Sequence, residues 1–247
     1  MDRRHSDLSP NPDSRSSADA DGLLYGPLRA APTAPDGCFL IGRAAQSLDG
    51  YIATRDGESC WISGSEDRTH THRLRALCDA VVVGSATVRA DDPQLTTRMV
   101  TGPNPVRVVL DTDRRLSAHY RVFEAGPKTL VFCAPDAPGG ARVGAAEAVP
   151  VRRGTTGLDL EAIIETLAQL GLRRILVEGG GITVARFLKA GALDRMHVTV
   201  APLLMGGGVP AFALPPVNRL SEGARFSWTA HNMGADILLD IPLTRRI

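Results

Sequence analysis

Apolar and polar positions along this chain follow two periods. Short apolar runs at Cys38–Ile41, Ala80–Val83, Val106–Leu110, Thr129–Cys133 and Arg174–Glu178 have the length and branched content of buried strands. The first continues through Arg43–Ser47 into a turn at Leu48-Asp49-Gly50, and Met196–Ala201 and Ile237–Ile241 read as two later strands. Helical spacing appears between them. Ser63-x-x-Glu66 reads as a capping box opening a helix to about Asp79 that buries Leu74, Leu77 and Cys78. Leu160, Ile163, Ile164, Leu167 and Leu170 share one face between an Asp159 cap and a terminating Gly171. Another helix is predicted over Thr183–Ala190.

Strands alternating with helices predict an α/β fold with a mixed, mostly parallel sheet covered on both faces. Helix-free segments near the C-terminus predict some antiparallel pairing. Residues 1–37 are rich in Ser, Asp, Pro and Ala, and predict a disordered or loosely docked tail in which Leu23–Leu28 is the stretch able to dock. Residues 38–247 predict one domain.

The charge balance is even, with 28 Lys+Arg against 27 Asp+Glu in 247 residues. It gives no drive toward nucleic acid or an anionic membrane. No apolar run approaches the ~18 residues of a spanning helix, and the polar N-terminus has no signal-peptide core. The expectation is a cytoplasmic protein. Cys38, Cys60, Cys78 and Cys133 form no CxxC pair or zinc spacing and read as reduced thiols. His70 and His72 do not share a helical face, and no metal site is expected. Phosphate-loop, nucleophile-elbow and zinc-deaminase signatures are missing.

Ligands of parallel sheets collect beyond the C-terminal strand ends, which singles out four clusters. In Glu178-Gly179-Gly180-Gly181-Ile182-Thr183, a strand ends in a carboxylate and three glycines lead into a helix. Such a bend either receives a phosphate at the helix N-terminus or is simply a tight turn. Glu178 either serves a ligand or pairs with a nearby Arg. Gly57–Ser63 holds Ser59 and Trp61, the latter a packing residue or a wall for a planar ring. Gly84–Arg98 combines hydroxyls, carboxylates and an arginine, and with Arg75 suits a phosphorylated substrate. Asp111–Arg115 is either a surface loop or a reader of an adenosine ribose, with Thr112, Arg114 or Arg115 suited to a 2′-phosphate.

Ser47–Gly50, Gly57–Ile62, Leu74–Ala76, Ala86–Arg98, Val106–Asp111, Val177–Ala185 and Ala201–Gly206 occur in an order that resembles the pyrimidine reductases of riboflavin biosynthesis, the reductase half of the bifunctional deaminase–reductase. The resemblance covers about residues 38–241. It implies a dihydrofolate-reductase-like three-layer sandwich, usually a homodimer. It also implies NADPH-dependent reduction of the ribose of 5-amino-6-(5-phosphoribosylamino)uracil, or of its diaminopyrimidinone precursor, to a ribityl chain. Carried onto this sequence, the cofactor side comprises Ala45, Trp61, Thr87, Asp91, Thr112, Gly180, Gly181, Ile182, Thr183, Val184, Ala185 and Arg186. The substrate side comprises Ser59, Arg75, Leu95, Arg98 and Glu178, with Ser59, Arg75 and Arg98 on the phosphate. Glu178 and Asp49 are the candidates for proton delivery or substrate orientation. Arg43 stands where many bacterial members carry Lys, and the deaminase half has no counterpart here. Dihydrofolate reduction and a non-catalytic NADP-binding protein are the alternative readings.

Overall fold

The computed structural model describes residues 17–60 and 62–247; the Trp61 expectation and residues 1–16 of the predicted tail lie outside them. The chain divides into a unit of residues 1–31 and a body, Pro32–Ile247. The first unit carries helix α1 (Ser17–Arg29), whose apolar positions fall in the Leu23–Leu28 stretch noted above.

In the body, the strands in chain order are β1 (Phe39–Ser47), β2 (Tyr51–Ala53), β3 (Ala80–Gly84), β4 (Val106–Leu110), β5 (Thr129–Cys133), β6 (Arg142–Val143), β7 (Ala146–Pro150), β8 (Arg153–Gly154), β9 (Gly157–Leu158), β10 (Arg174–Val177), β11 (Arg195–Ala201), β12 (Val209–Pro210), β13 (Thr229–Met233) and β14 (Asp236–Pro242). The helices are α2 (Ser65–Leu77), α3 (Ser85–Asp91), α4 (Leu160–Gln169) and α5 (Gly181–Lys189). Among the described residues, ten strands form one sheet in the order β13-β14-β11-β1-β10-β3-β4-β5-β7-β6. The centre is parallel, and β11/β14, β13/β14 and β6/β7 are antiparallel. The predicted class and the C-terminal antiparallel pairs are both present.

Alternation within each strand assigns the layers. Leu40, Val82, Val108, Leu130, Phe132, Ile175 and Val177 pack with Ile163 and Leu167 of α4 and Val184 and Phe187 of α5. The intervening Ile41, Val81, Val83, Val109, Val131 and Leu176 are equally buried on the other face, where Leu74 of α2 is fully buried and α2 packs against β10. Asp159 caps α4 as expected, accepting from the Ala162 amide at 2.9 Å.

The predicted capping box is not formed. Gly64 is the N-cap of α2, and its amide donates to Asp236 at 2.7 Å. The Ser63 hydroxyl donates instead to Asp67 within the helix, and Ser65 donates to Glu66. The last helix begins at Gly181, two residues before the predicted Thr183, because the glycine bend is completed by Gly179 and Gly180 alone.

Candidate active site

The crevice exists because β10 stops early. Val177 of β10 pairs with Gly42, after which β1 continues through Arg43–Ser47 with β11 as its only partner. On the other side, β3 runs on to Gly84 beside β4. The chain leaving β10 turns away at the glycines, so a space of about 930 Å³ opens between the ends of β1 and β3, with Glu178 among the residues lining it. Gly179 holds φ +107, and a side chain there would meet the Thr87 hydroxyl at 2.7 Å. The Thr87 hydroxyl accepts the Gly180 amide at 2.9 Å, tying α3 to the bend.

Helix α2 forms a second wall. Arg68, Thr71, His72 and Arg75 all line the crevice, and their spacing of i, i+3, i+4, i+7 places them on one helical face. The third wall is the 93–99 loop with Leu95, Arg98 and Met99. Leu95 is buried at φ +54, a conformation a branched side chain rarely holds, and such strain gathers at binding sites. Val209, Pro210 and Ala213 complete the rim.

Arg75 grips Glu178 through Nε and Nη2, at 2.8 Å and 2.7 Å. Its Nη1 donates to the Thr96 carbonyl at 3.2 Å. Burial pushes the Glu178 carboxyl up, but Arg75, by charge and hydrogen bonds, and then Arg43 and His72 pull it further down, so it stays below the usual Glu range. Burial together with Arg75 and Arg98 brings His72 down to about 4. Its Nδ1 accepts the Arg98 amide at 3.1 Å. Arg98 extends into the crevice with only a 3.3 Å contact to the Thr96 hydroxyl. Four guanidiniums, Arg43, Arg68, Arg75 and Arg98, thus line one crevice with Glu178 and Asp91, and suit a ligand carrying more than one negative charge.

A profile of the RibD C-terminal domain matches residues 38–230. The chain belongs to this family. Among relatives, a 2,5-diamino-6-ribosylamino-4(3H)-pyrimidinone 5′-phosphate reductase of Methanothermobacter thermautotrophicus is 41% identical over 174 residues, covering 68% of this chain and 80% of that protein. The riboflavin biosynthesis protein RibD of Aquifex aeolicus is 37% identical over 203 residues, covering 81% of this chain but 56% of that protein. The chain spans about half the length of the RibD relatives it matches. A Thermotoga maritima deaminase/reductase structure superposes with TM-score 0.72 at 30% identity, covering 83% of this chain and 56% of that one. The riboflavin biosynthesis reductase of Saccharomyces cerevisiae shares the fold, with TM-score 0.71 at 20% identity over 92% of this chain and the whole of that one.

For this RibD C-terminal domain, the crevice gathers many of the predicted residues and leaves others out. Ala45, Thr87, Asp91, Gly180, Gly181, Ile182 and Thr183 line it, as do Ser59, Arg75, Leu95, Arg98 and Glu178. Val184 and Ala185 do not: both are buried, Val184 on the face of α5 that packs into the core. Thr112 and Arg186 also lie outside the lining and converge on the β8–β9 hairpin, where each stands within 3.4 Å of a side-chain position on Gly157. Arg186 donates to the Leu158 carbonyl at 2.8 Å. Gly181 faces the Pro210 and Ala211 carbonyls, so its missing side chain makes room for the protein's own backbone.

Three roles need correction. Arg75 gives its Nε and Nη2 to Glu178 and an Nη1 hydrogen to the Thr96 carbonyl, so its first task is to hold Glu178 rather than a phosphate. The Ser59 hydroxyl donates to Asp91 at 2.8 Å rather than standing open. Asp49 lies outside the crevice and accepts from Ser47, Met205 and Gly206, the last at 2.7 Å, which makes it a clamp on a loop. Sequence reasoning missed Ser63, Arg68, Thr71, His72 and Met99. The helical spacing of 68, 71, 72 and 75 was the available signal.

Proposed function

We propose that the chain is an NADPH-dependent reductase of riboflavin biosynthesis that converts the ribosyl group of a phosphorylated ribosylaminopyrimidine to a ribityl chain. The single observation that carries the reading is the crevice above β10: a cationic wall from α2 and the 93–99 loop faces a glycine bend and the start of α5. The diaminopyrimidinone form is favoured as substrate, because the relative named for it is covered over 80% of its length.

The residues fit a dinucleotide beside a sugar phosphate. The volume lies in the usual range of ligand sites, and the buried Arg43 Nε–H lacks a protein partner. Ala45, Thr87, Asp91 and Gly180–Thr183 would hold NADPH, which when bound supplies a hydride to C1′ of the opened sugar. Thr112 and Arg186 would serve the adenosine end only if the ligand reaches the β8–β9 hairpin. Arg98 binds the phosphate. Glu178, kept ionised by Arg75, accepts hydrogen bonds from the ribose hydroxyls or the amine and orients C1′. Neither Glu178 nor His72 carries a proton to give near neutral pH, so the leaving ring oxygen is protonated by water. Orientation in such a crevice supplies much of the rate.

We assign the protein to the cytoplasm as a homodimer. All four cysteines are unpaired thiols, and no described helix is long and apolar enough to cross a membrane. β13 is an edge strand of the sheet, and Trp228 just before it and Ile237 on its neighbour β14 are exposed, so this edge would carry the dimer contact.

The test is NADPH oxidation followed by nicotinamide absorbance with the diamino and the deaminated substrates side by side. Turnover of the diamino form is expected; no turnover of either overturns the reading.

A further inference from the structure

A buried polar seam runs between α2 and the sheet, beneath the crevice. Arg43 of β1 pairs in register with His197 of β11, and Ala45 with Thr199, so the side chains of 43, 197 and 199 share one face. Against this face α2 sets Asp67 and, one turn later, His70. His70 Nε2 lies 3.0 Å from His197 Nδ1. Asp67 is fully buried. Its carboxylate accepts from Thr199 Oγ1 at 2.6 Å, from the Ser63 hydroxyl and from Arg43 Nη2.

A carboxylate with three donors from three elements is fixed in place, and it fixes whatever it holds. Two of its donors, Ser63 and Thr199, anchor it to the loop before α2 and to β11. The third is Arg43, whose guanidinium also lines the crevice. Arg43 is held by one nitrogen only. Its Nε–H is buried with no hydrogen-bond partner, which carries a cost that an incoming acceptor removes. Arg43 and Glu178 both line the crevice, and the Arg43 charge bears on the Glu178 carboxylate.

We infer that Asp67 is a positioning residue: it holds Arg43 by one nitrogen and so presents the remaining guanidinium edge to an oxygen of the bound sugar phosphate. The inference rests on the reading of the crevice as a sugar-phosphate site. It explains why a fully buried acidic side chain stands in the first turn of α2, on the face turned from solvent. It also makes Arg43, Asp67, Ser63 and Thr199 one functional unit assembled from β1, α2, the loop before it and β11.

The test is a double-mutant cycle on the full chain. Asp67→Asn and Arg43→Met are made singly and together. The readouts are the dissociation constant of ribose 5-phosphate by calorimetry, the dissociation constant of NADPH by fluorescence, and turnover of the diaminopyrimidinone substrate. Each single change is expected to weaken ribose 5-phosphate about tenfold, with NADPH within about twofold, and the double variant to bind no worse than Arg43→Met alone. Effects that multiply, or an Asp67→Asn variant that binds sugar phosphate like wild type, overturn the inference, as does equal loss of both ligands. Where Asp67→Asn does not fold, Ser63→Ala and Thr199→Val replace it; each is expected to weaken ribose 5-phosphate about two- to threefold, an effect absent in the Arg43→Met background. Wild-type protein that binds ribose 5-phosphate and shows the coupling but turns over neither pyrimidine leaves the inference standing and removes the proposed reaction. Wild-type protein that binds no ribose 5-phosphate removes both.

Discussion

Arg75 and Glu178, 103 positions apart in the chain, meet with Nε and Nη2 at 2.8 Å and 2.7 Å from the two carboxylate oxygens. Both side chains are nearly buried, so neither charge has water to fall back on. Glu178→Ala is expected to cost about 3–5 kcal/mol and to lower the thermal midpoint by about 10 °C. Replacing both partners by Met and Leu should restore most of that stability while leaving the enzyme inactive. Calorimetry and NADPH oxidation on the three variants check this; a fully active double variant would remove Glu178 from the chemistry.

Arg98 reaches into the crevice with a 3.3 Å side-chain contact to the Thr96 hydroxyl. Arg98→Ala should raise KM for the phosphorylated substrate at least about tenfold and leave KM for NADPH within about twofold, in line with loss of a charge-assisted contact. Initial-rate kinetics with each substrate varied in turn decide it. Equal effects on both would move the phosphate elsewhere.

Asp49 should behave as a clamp rather than an acid. The Ser47 hydroxyl first, and then the Gly206 and Met205 amides, hold its carboxyl below the ordinary range, opposite to the raised value an acid needs. Asp49→Asn is expected to preserve the shape of the kcat–pH profile while increasing proteolysis near Met205 and Gly206. A lost limb in that profile would restore Asp49 to the chemistry.

Stability should fall on the acid side of neutrality. Burial leads the downward shift of His70, His72 and His197, His72 reaching about 4 from 6.5. A histidine that binds its proton less readily when folded than when unfolded contributes fully above about 6.5, and its contribution fades as pH falls toward the folded value. Glu178, lowered from 4.5, adds a further loss below that pH. Thermal midpoints should hold from pH 7.5 to about 6.5 and decline from there to 4.5, and His72→Gln should flatten the decline.

The centre of the sheet was legible because its strands are short apolar runs; Val106–Leu110 and Thr129–Cys133 have the predicted bounds. The edge strand β13 was not, since Thr229–Met233 is largely exposed and carries no two-residue alternation of apolar and polar positions. α3 escaped because seven residues are too few to show a period. The membership of the crevice could be read from motifs, but the partner of each side chain could not. Arg75 reads as a phosphate ligand until the fold brings Glu178 beside it, and Ser63 reads as a cap until Asp67 claims its hydroxyl. Pairings over such separations leave no local trace in the sequence.

The placement of β1 has a consequence for biogenesis. This strand is the first of the body to leave the ribosome, yet its neighbours on both sides, β10 and β11, lie near the other end of the chain. At ~5–20 residues per second, roughly ten seconds pass before Ile175 emerges to meet Leu40. For that interval a greasy ribbon with two open edges waits in the cell, and nascent chains should depend on chaperone shelter until translation has passed the glycine bend.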